Sequence, residues 1–167
     1  MDEETITIEP ISIYQKSVLR QLMELCNYDF SIYDQADVNA HGFFGYERID
    51  HYWTDAGRFP YFIKVHGKYT GFVLVSLYTP KQRTSPLWTI NEFFIMKKYR
   101  RKGVGKYVAR TIFERHTGAW EVSQIYSNDV SRFFWEAVIA EYTAGKYDMQ
   151  QRYKDGFERQ FLSFENG

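Results

Sequence analysis

Tyr99-Arg100-Arg101-Lys102-Gly103-Val104-Gly105-Lys106 is the stretch whose reading decides the fold. Ahead of it, Ile90 to Met96 is an apolar run that predicts a strand. Behind it, Val104 to His116 places Val104, Val108, Thr111, Ile112 and Arg115, with Tyr107 beside them, along one side of a predicted helix. A glycine-bearing turn from strand to helix presents backbone N–H groups at the positive end of the helix, which is a phosphate site. Glycine lets an anion approach the backbone where a Cβ would collide. Lys97, Lys98, Arg100, Arg101, Lys102, Lys106 and Arg110 crowd cations into this segment, while the chain as a whole balances 21 Lys and Arg against 21 Asp and Glu. No Gly-Lys-Ser/Thr follows, so this is not the Walker loop. The third glycine of the dinucleotide fingerprint is also missing. For so short a pattern the plain alternative is a solvated basic turn before a surface helix.

A chain of 167 residues is long enough for one domain with a substantial core. Aromatics at 19% exclude a disordered chain. Zero net charge gives no general attraction to nucleic acid or to an anionic membrane. One cysteine, Cys26, allows no internal disulfide and fits a reducing, cytoplasmic compartment. Met1-Asp2-Glu3-Glu4 has none of the basic and apolar character of a signal peptide. No apolar run is long enough to span a bilayer.

In order, Thr5 to Ile13 predicts a first strand interrupted near Pro10. Gln15 to Asn27 predicts a helix from Val18, Leu19, Leu22, Met23, Leu25 and Cys26. Cys26 falls in that apolar set and reads as core. Tyr28 to Phe59 mixes acids, histidines and aromatics, with a helical portion from Tyr46 to Thr54. Its His41–His51 spacing fits no standard metal site, so no metal is expected. Pro60 to Tyr78 predicts a hairpin turning at Gly67-Lys68, and Thr79 to Pro86 a loop. Leu87 to Met96 is the next strand, and the glycine turn and its helix follow. Trp120 to Tyr126 predicts a strand. Ser127-Asn128-Asp129 caps a helix from Val130 to Tyr142 with a stripe of Phe134, Val138 and Tyr142. A terminal hairpin turns at Asp155-Gly156. The order is mixed α/β, with only part of the sheet parallel.

Arg100-x-x-Gly103-x-Gly105 resembles the Arg/Gln-x-x-Gly-x-Gly/Ala signature of the GNAT N-acetyltransferases, and the element order is similar to theirs along essentially the whole chain. The resemblance implies a single GNAT-like acyl-CoA N-acyltransferase domain over residues 1–167, a central mixed, twisted sheet flanked by helices. It implies acetyl-CoA as donor and direct transfer to a primary amine. The donor's pyrophosphate would take amides of Arg101, Lys102, Gly103, Val104, Gly105 and Lys106, with Arg100 at the signature position. Phe94, Ile95 and Met96 would offer backbone groups to the pantetheine arm. The segment after the first helix would help form the acceptor pocket, which makes Phe43, Phe44, Tyr46, Tyr52 and Trp53 candidate linings; an aromatic core explains them equally well.

Amine acetylation needs a base, and the residues offer one. Glu92 sits in an otherwise apolar strand, where partial burial would make it a better base. Its alternative role is to anchor a loop or an ion pair. No Ser-His-Asp or Cys-His set is visible, so direct attack on the thioester is the economical route. Asn128-Asp129-Val130-Ser131-Arg132-Phe133-Phe134-Trp135 resembles the family's Asn-x-x-Ala-x-x-Phe-Tyr. Asn128 and Phe134 match. Trp135 stands where relatives commonly carry the tyrosine that protonates the CoA sulfur, and an indole N–H cannot deliver a proton. Tyr142 is the substitute to consider. That departure keeps open a second reading, a non-catalytic acyl-CoA sensor. A nucleotide- or nucleic-acid-binding domain is a third and weaker one. The amine acceptor is not legible, and a homodimer is compatible with the sequence but not indicated by it.

Overall fold

The computed structural model describes residues 5–167, so the reading of Met1-Asp2-Glu3-Glu4 lies outside the described residues. In chain order the elements are β1 (Ile6–Pro10), α1 (Lys16–Asp34), α2 (His51–Thr54), β2 (Arg58–Val65), β3 (Lys68–Tyr78), β4 (Leu87–Ile95), α3 (Val104–Arg115), β5 (Gly118–Ile125), α4 (Asp129–Tyr142), β6 (Asp148–Lys154) and β7 (Phe157–Asn166). The strands follow the order β1-β2-β3-β4-β5-β7-β6 in one seven-stranded sheet. Pairing is antiparallel for β1–β2, β5–β7 and β6–β7 and parallel for β4–β5, which gives the mixed α/β class predicted. The described residues group into two compact units, one running to Val75 and including Asn91–Val104, the other comprising Ser76–Ile90 and Gly105–Gly167.

In the first unit, Leu19, Leu22, Met23 and Cys26 recur at helical spacing on α1 and are buried against Phe62, Phe72, Leu74 and Phe94. The helix does not stop at Asn27. Phe30 continues the same stripe against the core, and α1 ends only where Gln35 turns to φ 60° and its N–H reaches the Ser31 carbonyl at 2.9 Å. The first strand is shorter than predicted. Past Pro10, Ser12 accepts the Tyr14 N–H, the Gln15 side chain accepts the Ser12 N–H, and Ile13–Gln15 becomes a 3-10 turn. The β2–β3 hairpin turns at His66-Gly67, one residue before the predicted pair. Both residues have positive φ (50° and 74°), the turn whose twist matches its strands. The predicted helix over Tyr46–Thr54 is reduced to α2, with turns before it.

Gly71 on β3 has a specific task. A Cβ there would fall on the Phe94 carbonyl oxygen, so only glycine lets β4 come this close. Phe94 and Ile95 are both buried, so both faces of this end of β4 are covered.

In the second unit, Phe113 of α3 meets Trp120 of β5 and Phe164 of β7 edge-on, with ring centroids 4.9 and 5.0 Å apart. Trp88 stands opposite Trp120 in the parallel register, its ring 6.0 Å away. On α4 the buried stripe is Trp135, Val138 and Ile139, one residue round from the predicted stripe, and Phe134 is only half-buried. The terminal hairpin turns at Asp155-Gly156 as predicted.

Candidate active site

Glu92 lies on β4 within the first unit, half-buried among groups that the sequence did not bring together. Its Oε2 is 4.0 Å from the Cys26 thiol of α1. Asn91 beside it donates from Nδ2 to the Tyr52 hydroxyl at 2.7 Å. Tyr46 is hydrogen-bonded to that same hydroxyl, and both phenols feel the negative charge of Glu92. Burial, foremost, holds the Tyr46 and Tyr52 phenols above their ordinary range, and burial followed by Glu92 pushes the Cys26 thiol well up. All three therefore stay protonated at neutral pH. They are neutral groups within the electrostatic reach of Glu92 rather than nucleophiles, and Cys26 keeps the core role read from sequence.

The aromatic segment divides. Tyr52 is buried, and Trp53 packs on the same core with its indole N–H on the Ile11 carbonyl at 2.9 Å. Tyr46 also packs there, whereas Phe43 is exposed. Glu24 of α1 secures the loop, its two oxygens accepting the N–H groups of Phe44 and Gly45 at 2.8 and 2.9 Å. Of the five predicted linings, Tyr46, Tyr52 and Trp53 pack on the core, and the Tyr52 hydroxyl meets Asn91 beside Glu92.

Downstream, several backbone groups at the end of β4 are engaged. The Met96 N–H donates to the Thr70 carbonyl at 2.9 Å. The Ile95 carbonyl accepts Arg100 Nε at 2.6 Å, and Arg100 Nη2 reaches Asp29 of α1 at 2.6 Å. Arg100 is thus a strut that ties the turn to α1. The phosphate-binding reading passes to the backbone after it. Arg101 has φ 60° and Gly103 φ 84°, and a Cβ on Gly103 would meet nothing within 4 Å. The turn bends sharply beside open space and runs straight into the first turn of α3, whose N–H groups have no partner within the helix. This fits a pyrophosphate. Among the lysines, Lys106 pairs with Glu141 at 2.7 Å, while Lys102 is exposed.

In the second unit, Asn128 caps α4, its side chain accepting the Ser131 N–H at 3.1 Å. Trp135 is buried against Phe113 and Phe134. Tyr142, the substitute acid considered, has its hydroxyl engaged elsewhere. Its hydroxyl accepts from Asn166 at 3.0 Å, at the opposite end of α4 from Asn128. A cavity of about 520 Å³ opens in this unit beside Arg83, Glu121, Lys146, Tyr147 and Glu165, and none of the predicted site residues lines it. Among the described residues there is no cluster of three or more potential metal ligands, and no helix is long and apolar enough to cross a membrane.

The sequence from residue 19 to 139 matches the model of the Acetyltransferase (GNAT) family, and the chain belongs to that family. No curated protein matches it. Among solved structures, it is similar to an acetyltransferase from Thermus thermophilus, with 10% identity, a TM-score of 0.69 and 97% of each chain covered. It is likewise similar to Arabidopsis thaliana NAA60 in complex with acetyl-CoA, with 12% identity, a TM-score of 0.66 and coverage of 96% of this chain and 98% of that one. The aminoglycoside acetyltransferase AAC(6')-Ib in complex with coenzyme A gives 12% identity and a TM-score of 0.69, covering 96% of this chain and 94% of that one. At these identities the likeness is one of fold, and the family match carries the class, an acetyltransferase.

Sequence reasoning missed Cys26, Asn91 and Asp29 as neighbours of the site. The only available signal was an acid inside an apolar strand, which calls for polar company without naming it.

Proposed function

We propose that this chain is a single-domain N-acetyltransferase that moves the acetyl group of acetyl-CoA to a primary amine of a small molecule or protein, with Glu92 as general base. The observation that supports it is Glu92 itself, a half-buried carboxylate with neutral groups within its electrostatic reach, on the strand that runs into the Arg101–Gly103 turn. The family match spans residues of both compact units, which supports one functional domain. The single buried cysteine supports a cytoplasmic location.

In this mechanism, Glu92 accepts a proton from the substrate ammonium, directly or through water. The freed nitrogen attacks the thioester carbonyl carbon, a C–N bond forms, the tetrahedral intermediate collapses with cleavage of the C–S bond, and the nitrogen gives its extra proton to solvent to leave the neutral amide. Backbone N–H groups at the end of β4 and in the turn orient the donor, with Phe94, Ile95 and Met96 along the pantetheine arm and residues 101–106 at the pyrophosphate. Ile95 and Met96 can contribute only the groups that Arg100 and Thr70 do not already use. Asn128, Phe134 and Trp135 are assigned to the donor by the family motif. Trp135 can steady the sulfur by a hydrogen bond but not protonate it, so the thiolate leaves unprotonated and takes its proton from solvent.

The sensor reading rests on Trp135. The test is release of CoA thiol from acetyl-CoA with a panel of aminoglycosides, polyamines and peptide amines. Turnover with any of them supports the enzyme. Tight acetyl-CoA binding with no turnover on the whole panel supports the sensor.

A further inference from the structure

The strand β6 ends the sheet order, and among the described residues it is paired on one edge only, by β7. All seven of its residues are exposed. Its register with β7 runs without interruption from Asp148 opposite Ser163 to Lys154 opposite Phe157, so no bulge blunts the edge.

The register also fixes which backbone groups face outward. The turn Asp155-Gly156 has two residues with positive φ (53° and 87°), and such a turn closes on a hydrogen-bonded pair, here Lys154 with Phe157. Antiparallel pairs alternate, so Arg152, Gln150 and Asp148 also turn their N–H and C=O toward β7, and Tyr153, Gln151 and Met149 turn theirs away. An independent contact agrees. The Glu158 carbonyl, opposite Tyr153, accepts the Tyr126 N–H at 2.9 Å, so it points away from β6.

Laid antiparallel against a second copy of itself with the two-fold axis at Gln151, β6 is self-complementary. Gln151 faces its own counterpart, and Met149 faces Tyr153 twice. These are the residues with outward backbone groups, so all three pairs can exchange hydrogen bonds. The remaining pairs are Gln150 with Arg152 and, at both ends, Asp148 with Lys154, opposite charges directly across. Met149 (54% exposed) and Tyr153 (69%) are apolar groups that this pairing covers. Arg152 does not obstruct, since its guanidinium is folded back on Glu121 at 3.2 Å and over the Phe161 ring at 3.8 Å. This register uses the full length of β6.

We propose that the β6 edge is a homodimer interface, in which two copies pair β6 to β6 about Gln151 and join their sheets. The test is sedimentation of the whole chain from low to high micromolar concentration. The wild type dimerises reversibly. Gln151→Pro removes an outward N–H while leaving the β7 ladder intact, so it shifts the protein to monomer with an unchanged circular dichroism spectrum. Asp148→Lys and Lys154→Asp each set like charges across both ends and weaken the dimer by about tenfold or more. The double exchange, with Asp148→Lys and Lys154→Asp together, restores it. Within one strand these residues are about 20 Å apart, so only pairing between copies explains a rescue. A wild type that stays monomeric at every concentration overturns the proposal. So does a dimer that Gln151→Pro leaves intact, or one that the double exchange fails to restore.

Discussion

The Oε2 of Glu92 on β4 and the thiol sulfur of Cys26 on α1 lie 4.0 Å apart. A carboxylate beside a buried thiol raises the cost of ionising the thiol, and the thiol offers the carboxylate a weak donor. The pair is therefore asymmetric, with the proton held on Cys26. Native Cys26 should resist a thiol reagent at neutral pH and react once the chain is unfolded by urea. Rapid labelling of the folded protein would show that burial does not hold this proton.

Glu92→Gln keeps the size of the side chain and removes its basicity. The turnover rate should fall by a factor of about 100 to 10,000, with little change in CoA affinity. The deficit should shrink as pH approaches the pKa of the accepted amine, because a deprotonated amine needs no base. A pH–rate profile of both proteins at saturating acetyl-CoA reads this directly. A deficit independent of pH, together with a lower melting temperature, would reassign Glu92 to structure.

Alkaline pH should loosen the first unit. The folded state holds Cys26, Tyr46 and Tyr52 above their ordinary values of 9.0, 10.0 and 10.0. Below those values both states carry the protons and nothing changes. As pH rises past them the unfolded chain sheds protons that the folded chain keeps, so stability falls. The melting temperature should decline from about pH 9 upward, and Cys26→Ala and Tyr46→Phe should each flatten that decline, whatever they do to stability at neutral pH.

Gly71→Ala should cost more than a surface substitution, about 1 to 3 kcal/mol, because the new methyl lands on the Phe94 carbonyl. Denaturant unfolding measures the loss. Since the displaced group sits at the end of β4, CoA affinity should fall as well.

Gly103→Val meets no neighbour but must hold φ near 84°. It should cost about 1 to 2 kcal/mol in stability and a far larger share of CoA affinity, measured by calorimetric titration. Undiminished affinity would remove the turn from the donor site.

Most of the fold could be read because its signals are local. The apolar runs of β2 and β3, the cap at Asn128 and the turn at Asp155-Gly156 each need only a few neighbouring residues. The errors came where a distant contact or a backbone detail decided. α1 continues past Asn27 because Phe30 finds the core, and the β2–β3 turn starts at His66 because a non-glycine residue there accepts positive φ. For the site, Glu92 was legible as an acid out of place. Cys26 and Tyr52 lie 66 and 39 positions from the strand residues they meet, and no sequence pattern links them. Arg100 carried the right signature, but its side chain turned inward to Asp29.

That inward turn bears on the sequence of events in catalysis. Because Arg100 is already clasped by Asp29 and the Ile95 carbonyl, its own charge and position do not depend on an incoming anion. A preorganised loop spares the donor much of the entropy that ordering would otherwise take from its affinity. On the proposed function, acetyl-CoA then finds this part of its site already formed in the free protein, and the expected order has the amine second. Steady-state kinetics should then follow an ordered scheme, in which CoA competes with acetyl-CoA and not with the amine.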